Sequence, residues 1–395
     1  MSEEEETRVI SFGPYHPVLE EGELFKLTVE GERVEDIVWE TGFNHRSIEF
    51  TAEEKTYDQI AFLVERICGI CSASHPFAYV RAVEDLAGIE IPPRARYIRT
   101  IVAELERLHS HLLWMGLAGH FIGYNTVFMW AWKYREPILD ILEEITGNRN
   151  HYATYKVGGV RRDIPEKKFA KVLEMLDDVE EKSQMILDAV RDDPVLHARL
   201  KDVGVLTRED AIDYCTLGPT ARASDLDIDV RRDHPHAAYG EVDFDVIVRS
   251  GGDVYDKTIV RLLENMESIK ILRQCFSKMP SGEIETEVRD IPPGEGIGTY
   301  EAPRGEVLHY VASDGTNSPI RHKMRAPSFN NVPSFEASCI GEEIPDVLIT
   351  LAAVDPCYSC TERMSVIDQK TGEKVFGPDE LLELSRKKTE ELMDQ

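Results

Sequence analysis

The chain has 395 residues, 42% hydrophobic and 30% charged, with 45 Lys+Arg against 73 Asp+Glu and hence a formal net charge of −28. This is a globular mixture with room for a sizeable core, and its charge repels phosphates and anionic lipid headgroups, so neither nucleic acid nor direct membrane adsorption is expected. The N-terminus, Met1-Ser2-Glu3-Glu4-Glu5-Glu6, is acidic where a secretory signal is basic, and seven Cys are too few and odd in number for a disulfide framework, so a reducing cytoplasm is expected.

In chain order, Phe25–Val29 and Val34–Trp39 alternate as strands do, and Glu30-Gly31-Glu32 supplies the turn of a hairpin. From Tyr57 helical patterns take over. Tyr97, Ile98, Ile101, Leu105, Leu108 and Leu112 recur at steps of three and four, the mark of a buried helix face over 96–113. The same period predicts helices over 168–191, stopped at Asp193-Pro194, and over 256–275. Leu112–Trp132 carries no formal charge over 21 residues, long enough to ask about a membrane span. With His120, Asn125, Thr126 and three Gly in it, a central helix buried on all sides is the better expectation. The stretch 217–253 reads as irregular, 284–332 as short strands between Pro and Gly, and Gly377-Pro378-Asp379 opens a last helix to about Met393. The expected fold is mainly α (α+β), a central bundle of long helices with small β additions at both ends. Its divisions would be a β-rich segment 1–56, a helical core 57–363, and an extension 364–395.

Four of the seven Cys form two like spacings, Cys68-Gly69-Ile70-Cys71 and Cys357-Tyr358-Ser359-Cys360. Cys215, Cys275 and Cys339 stand alone and read as small buried hydrophobes. Two thiol pairs offer four soft ligands. Zinc ribbons keep their halves roughly 15–20 residues apart, whereas Cys71 and Cys357 stand 357 − 71 = 286 positions apart. A functional metal centre where remote segments meet, a structural zinc and a redox dithiol all stay open on spacing alone. Arg66 before the first pair, His75 after it, and Asp355-Pro356 before the second supply charge and hydrogen bonds of the kind that tune thiolates.

Together, Arg66-Ile67-Cys68-Gly69-Ile70-Cys71-Ser72-Ala73-Ser74-His75 and Asp355-Pro356-Cys357-Tyr358-Ser359-Cys360-Thr361 resemble the two signature boxes of the [NiFe]-hydrogenase large subunit, and the resemblance covers nearly the whole chain. It implies that the four thiolates hold Ni, with Cys68 and Cys357 terminal, and that Cys71 and Cys360 also bridge to an Fe carrying CO and cyanide. Glu21-Gly22-Glu23-Leu24 is similar to the family's Glu-Gly-His-Leu segment and implies Glu21 as proton shuttle. Ala302-Pro303-Arg304-Gly305 resembles the segment whose Arg hangs over the open metal position. Gly13-Pro14-Tyr15-His16-Pro17, Glu104–Gly116, Gly158–Asp163, Asp227–Arg232 and Val260–Glu264 look like the branch shared with the large hydrophilic-arm (49 kDa) subunit of respiratory complex I. In that subunit both Cys pairs are lost; here all four Cys remain. The resemblance therefore implies the catalytic subunit of a membrane-bound, energy-converting hydrogenase, cytoplasmic in aspect and attached through other subunits. The implied partners are a small subunit with a [4Fe–4S] cluster, further iron–sulfur and integral-membrane subunits, ferredoxin and a maturation protease. Two departures are visible. Arg363 stands where other members place a His that serves a Mg site, which leaves Glu49 as a lone match to that site. Residues 364–395 run past the point of maturation cleavage, which would fall after Arg363. The alternatives are a complex I-like coupling subunit without H₂ chemistry and a zinc-stabilised binding protein.

Overall fold

The computed structural model describes residues 7–16, 19, 21–362, 366–368, 370–372 and 374–393; Arg363 and its neighbours Met364 and Ser365 lie outside them. At the centre runs Pro93–Phe121, a 29-residue helix. Pro93 takes the first helical position, where a missing N–H costs nothing. Nearly every side chain from Arg94 to Gly119 is buried. Asn125–Thr146, Phe169–Asp192 and Val254–Lys278 complete the bundle around it, so the long helices fall where the periodicity put them.

The uncharged run Leu112–Trp132 is not one buried helix. The central helix stops at Phe121, Gly123 turns the chain at φ 79°, and the next helix starts at Asn125 and packs back against the first. Only glycine takes that conformation without strain. Beyond the turn the burial lapses, and Met129 and Trp130 are exposed. No helix among the described residues is long and apolar enough to cross a membrane.

The N-terminal hairpin forms as Leu24–Glu30 and Arg33–Glu40, and Thr7–Phe12 adds an edge strand on the free side of Leu24–Glu30. Phe25, Leu27, Val29, Val34 and Ile37 line the inner face and pack on Val332, Phe335, Val347, Leu351, Val354 and Tyr358. Burial of that alternating face, at roughly 25 cal/mol per Å², is what ties the start of the chain to the segment leading into the second Cys pair. A second antiparallel sheet, Gly294–Ala302, Gly305–Ser313 and Arg321–Arg325, lies on the Ser74–Ala87 helix. Gly296 and Gly298 permit this approach: a Cβ on Gly298 would stand 2.0 Å from the Ala78 carbonyl oxygen. The close contact carries the strand end at Ala302, and with it Arg304, toward the first Cys pair.

Of the three lone Cys, Cys275 and Cys339 are buried but Cys215 is exposed. It sits in a left-handed turn (φ 51°) after the short helix Arg208–Asp213, where the backbone points it outward.

Candidate metal centre

The two Cys pairs, 286 positions apart, meet. Their four Sγ atoms all lie within 4.8 Å of one another and all four residues are buried. Each segment is delivered by local structure. Cys68 and Cys71 sit in the turn between the Tyr57–Glu65 and Ser74–Ala87 helices. Glu106 of the central helix accepts from Ala73 N–H and the Ser74 hydroxyl, and so anchors the start of the second of these helices. Desolvation raises the Glu106 carboxyl to about 8. Cys357 precedes the single turn Tyr358–Thr361, and its N–H donates to Ser328 Oγ at 3.0 Å. Thiol hydrogen bonds from Cys357, Cys360 and Cys71 converge on Cys68 and hold it well below the ordinary thiol range. Hydrogen bonds with Cys360, Cys68 and Cys71 push Cys357 up instead. Four soft donors, buried and turned toward one point, fit a thiophilic metal.

Arg304 and Asp355 are buried together beside the thiols. Arg304 Nη2 meets Asp355 Oδ1 at 2.7 Å, and its Nε donates to the Asp355 carbonyl at 2.8 Å. Burial pulls this guanidinium down, but Asp355, Cys71 and Cys357 hold it well above its usual value, so a fixed positive charge faces the site. A small internal void opens between Arg304, His75, Cys71, Cys357 and Cys360. His75 Nε2 lies 3.5 Å from Cys360 Sγ. Glu21 accepts from Ser359 N–H at 2.6 Å and from the Ser359 hydroxyl. Burial and the charge at Cys68 raise its carboxyl, and the Ser359 donors only partly oppose them. A buried carboxyl whose affinity for a proton is raised, set beside the thiols, is placed to give and take one.

Arg66 and Glu49 are not brought to the thiols. The Arg66 side chain is half exposed, bound to Glu65 at 2.7 Å and to the Phe62 carbonyl. Glu49 is engaged by the Lys323 ammonium at 2.6 Å and by Met324 N–H. Among the described residues the Cys quartet is the one group of three or more His, Cys, Asp or Glu side chains that could hold a metal ion, and Glu49 belongs to no such group.

Sequence reasoning missed two residues here. Arg46 donates to the carbonyls of Arg66, Ile67 and Ser359 at 2.8, 2.9 and 3.2 Å, clamping the two Cys segments to each other. Glu23 is fully buried, and neither of its carboxylate oxygens has a hydrogen-bond partner among the described residues. Desolvation, with Glu362 and Glu21 opposite, pushes it up to about 8. Its one sequence signal was standing where the similar family segment has His.

Behind the site, the motifs shared with the complex I branch form a buried ionic network. Arg222 donates to Glu264 at 2.9 Å and to Glu301 at 2.8 Å. Arg231 pairs with Asp229 at 2.7 Å, while Tyr239 and Ser268 each donate to Glu104 at 2.6 Å. Arg261 lies over the Trp114 ring and donates to the Ala353 carbonyl, two residues before Asp355.

The comparisons with known proteins agree with this geometry. A profile described as "Nickel-dependent hydrogenase" matches residues 46–117, around the first Cys pair. One described as "Respiratory-chain NADH dehydrogenase, 49 Kd subunit" matches residues 122–292 and 284–363. The chain is 42% identical to the membrane-bound hydrogenase subunit alpha of Pyrococcus furiosus, over 97% of this chain and 93% of that protein. It is 36% identical to the carbon monoxide-induced hydrogenase of Rhodospirillum rubrum, over 90% and 99% respectively. A solved chain of the membrane-bound sulfane sulfur reductase, described as an archaeal respiratory membrane complex, superposes with TM-score 0.87 at 30% identity, covering 92% of this chain and all of that one. The chain belongs to the family that unites the large subunit of [NiFe]-hydrogenases with the 49 kDa subunit of respiratory complex I. Within it, the retained Cys quartet and these relatives put it in the membrane-bound, energy-converting branch.

Proposed function

We propose that this chain is the catalytic subunit of an energy-converting [NiFe]-hydrogenase that forms and oxidises H₂ reversibly. The observation that carries the reading is the buried quartet of Cys68, Cys71, Cys357 and Cys360, flanked by Arg304 and Glu21. All four thiolates would hold Ni, and Cys71 and Cys360 would also hold an Fe with CO and cyanide ligands. When bound, this centre supplies heterolytic cleavage and formation of the H–H bond. The protein does the rest. Glu21 holds and releases the proton at its carboxylate, with Ser359 fixing its orientation. Arg304, fixed by Asp355, presents positive charge to the void without having to reorganise. The burial of the thiols keeps bulk water from the metals.

Electrons would pass to and from ferredoxin through a partner subunit with a [4Fe–4S] cluster, coupled through integral-membrane subunits to ion movement, with this chain held peripherally on the cytoplasmic side. Support for such an assembly is that the Pyrococcus furiosus relative is named a subunit of a membrane-bound hydrogenase and the solved neighbour belongs to a respiratory membrane complex. Cleavage after Arg363 by a maturation protease completes the reading; an intact mass of the nickel-loaded subunit ending at that residue is the expected finding. A second reading, a coupling subunit without H₂ chemistry, draws on the match of the 49 kDa profile to residues 122–363 and on a structural relative that is a sulfane sulfur reductase. Exchange between D₂ and water by the purified complex separates the two. Exchange is expected; a complex with its metals in place that exchanges nothing favours the second reading.

A further inference from the structure

Three histidines stand in single file behind Cys360. His75 Nε2 is 3.5 Å from Cys360 Sγ, and His75 Nδ1 is 3.0 Å from His309 Nε2. His309 Nδ1 is in turn 2.9 Å from His322 Nε2. The rings come from three elements: His75 from the Ser74–Ala87 helix, and His309 and His322 from neighbouring strands of the second sheet. All three are buried, His309 and His322 completely. Desolvation drives His309 well below the ordinary histidine range and His322 to about 4, so both are neutral imidazoles near neutral pH.

A neutral imidazole carries one N–H and one lone pair, and each contact between rings needs one of each. With all three rings neutral the file can run in only two senses. Run outward, His75 turns a lone pair toward a thiolate, and the last N–H falls on His322 Nδ1, which is buried with no partner among the described residues. That sense sets a lone pair against the negative sulfur and leaves a buried donor unsatisfied, at the full cost of its desolvation. Run inward, His322 Nε2–H donates to His309, His309 Nε2–H donates to His75, and His75 Nε2–H donates to Cys360. Every donor is then satisfied, and what remains at His322 Nδ1 is a lone pair. Hydrogen bonds aligned head to tail also strengthen one another.

We propose that His309 and His322 are positioning residues that lock His75 in its Nε2–H tautomer and direct a polarised hydrogen bond onto the Cys360 sulfur, setting how much electron density that thiolate gives the metals. The inference rests on the hydrogenase reading above, in which Cys360 bridges Ni and Fe. No step in it needs a proton to travel along the file. A thiolate that loses its donor gives more electron density to Fe, and stretching of the Fe-bound CO then moves to lower wavenumber.

The test is infrared spectroscopy of the purified complex, with Ni and Fe content measured beside it. His309→Phe removes both ring nitrogens from the middle of the file; the expected result is metals retained and the CO band moved down. His309→Gln can still donate to His75 and accept from His322, and is expected to return the band toward its wild-type place. Should His309→Phe not assemble, His322→Phe, further from the ligands, is expected to give a smaller shift of the same sign. A band unmoved in a metal-loaded Phe variant, or moved equally by Phe and Gln at position 309, overturns the inference alone. A wild-type complex without CO and CN bands overturns the functional reading and this inference with it.

Discussion

Replacing Glu23 by Gln tests whether the carboxylates beside the second Cys pair are kept protonated by the fold. Glu23 is fully buried, unpartnered, and faced by Glu21 and Glu362. Its pKa rises from 4.5 unfolded to about 8 folded. The folded state thus binds more protons than the unfolded state between these values, so the stability Glu23 contributes is full below about 4.5 and falls as pH rises through about 8. The interval, 8 − 4.5 = 3.5, corresponds to ~5 kcal/mol at 1.36 kcal/mol per unit. Gln keeps the shape and cannot ionise, so the variant loses this slope. The assay is urea unfolding of the purified chain at pH 5 and pH 8, wild type beside variant, because the other titrating groups cancel in the comparison. The wild type is expected to lose several kcal/mol more than the variant between the two pH values. Equal losses would refute a desolvated, protonated Glu23.

Three further outcomes follow from the geometry. Cys360→Ser should leave the complex without nickel by metal analysis and without H₂ turnover, since one of four converging soft ligands is gone. Glu21→Gln should retain its metals but lose D₂–water exchange by about 10²–10⁴-fold, the usual scale of a lost general acid–base; unchanged exchange would remove Glu21 from the proton route. Arg222→Met should destabilise the fold by about 3–5 kcal/mol in chemical denaturation, because Glu264 and Glu301 would each lose a buried cationic partner.

Much of this was legible in the sequence because it is periodic or local. The helix over 96–113, the hairpin at Glu30-Gly31-Glu32 and the two Cys pairs each announce themselves within a short window. What escaped is what depends on remote partners. Thr7–Phe12 is exposed along nearly all its length, so no hydrophobic alternation marked it as a strand. The turn inside Leu112–Trp132 hung on one glycine among three. Arg46 looked like any loop arginine until its guanidinium met carbonyls on both Cys segments. Arg66 shows the converse: it belongs to the signature box by position, yet its side chain leaves the thiols and pairs with Glu65. Likewise, nothing in His309 or His322 as single strand residues told that they would align behind His75.

The central claim is that Cys68, Cys71, Cys357 and Cys360 hold a Ni–Fe centre, and infrared spectroscopy of the purified wild-type complex, read against its metal content, tests it most directly. Intrinsic CO and CN stretching bands accompanied by nickel are the expected result. Zinc in the quartet, or nickel without those bands, would contradict it.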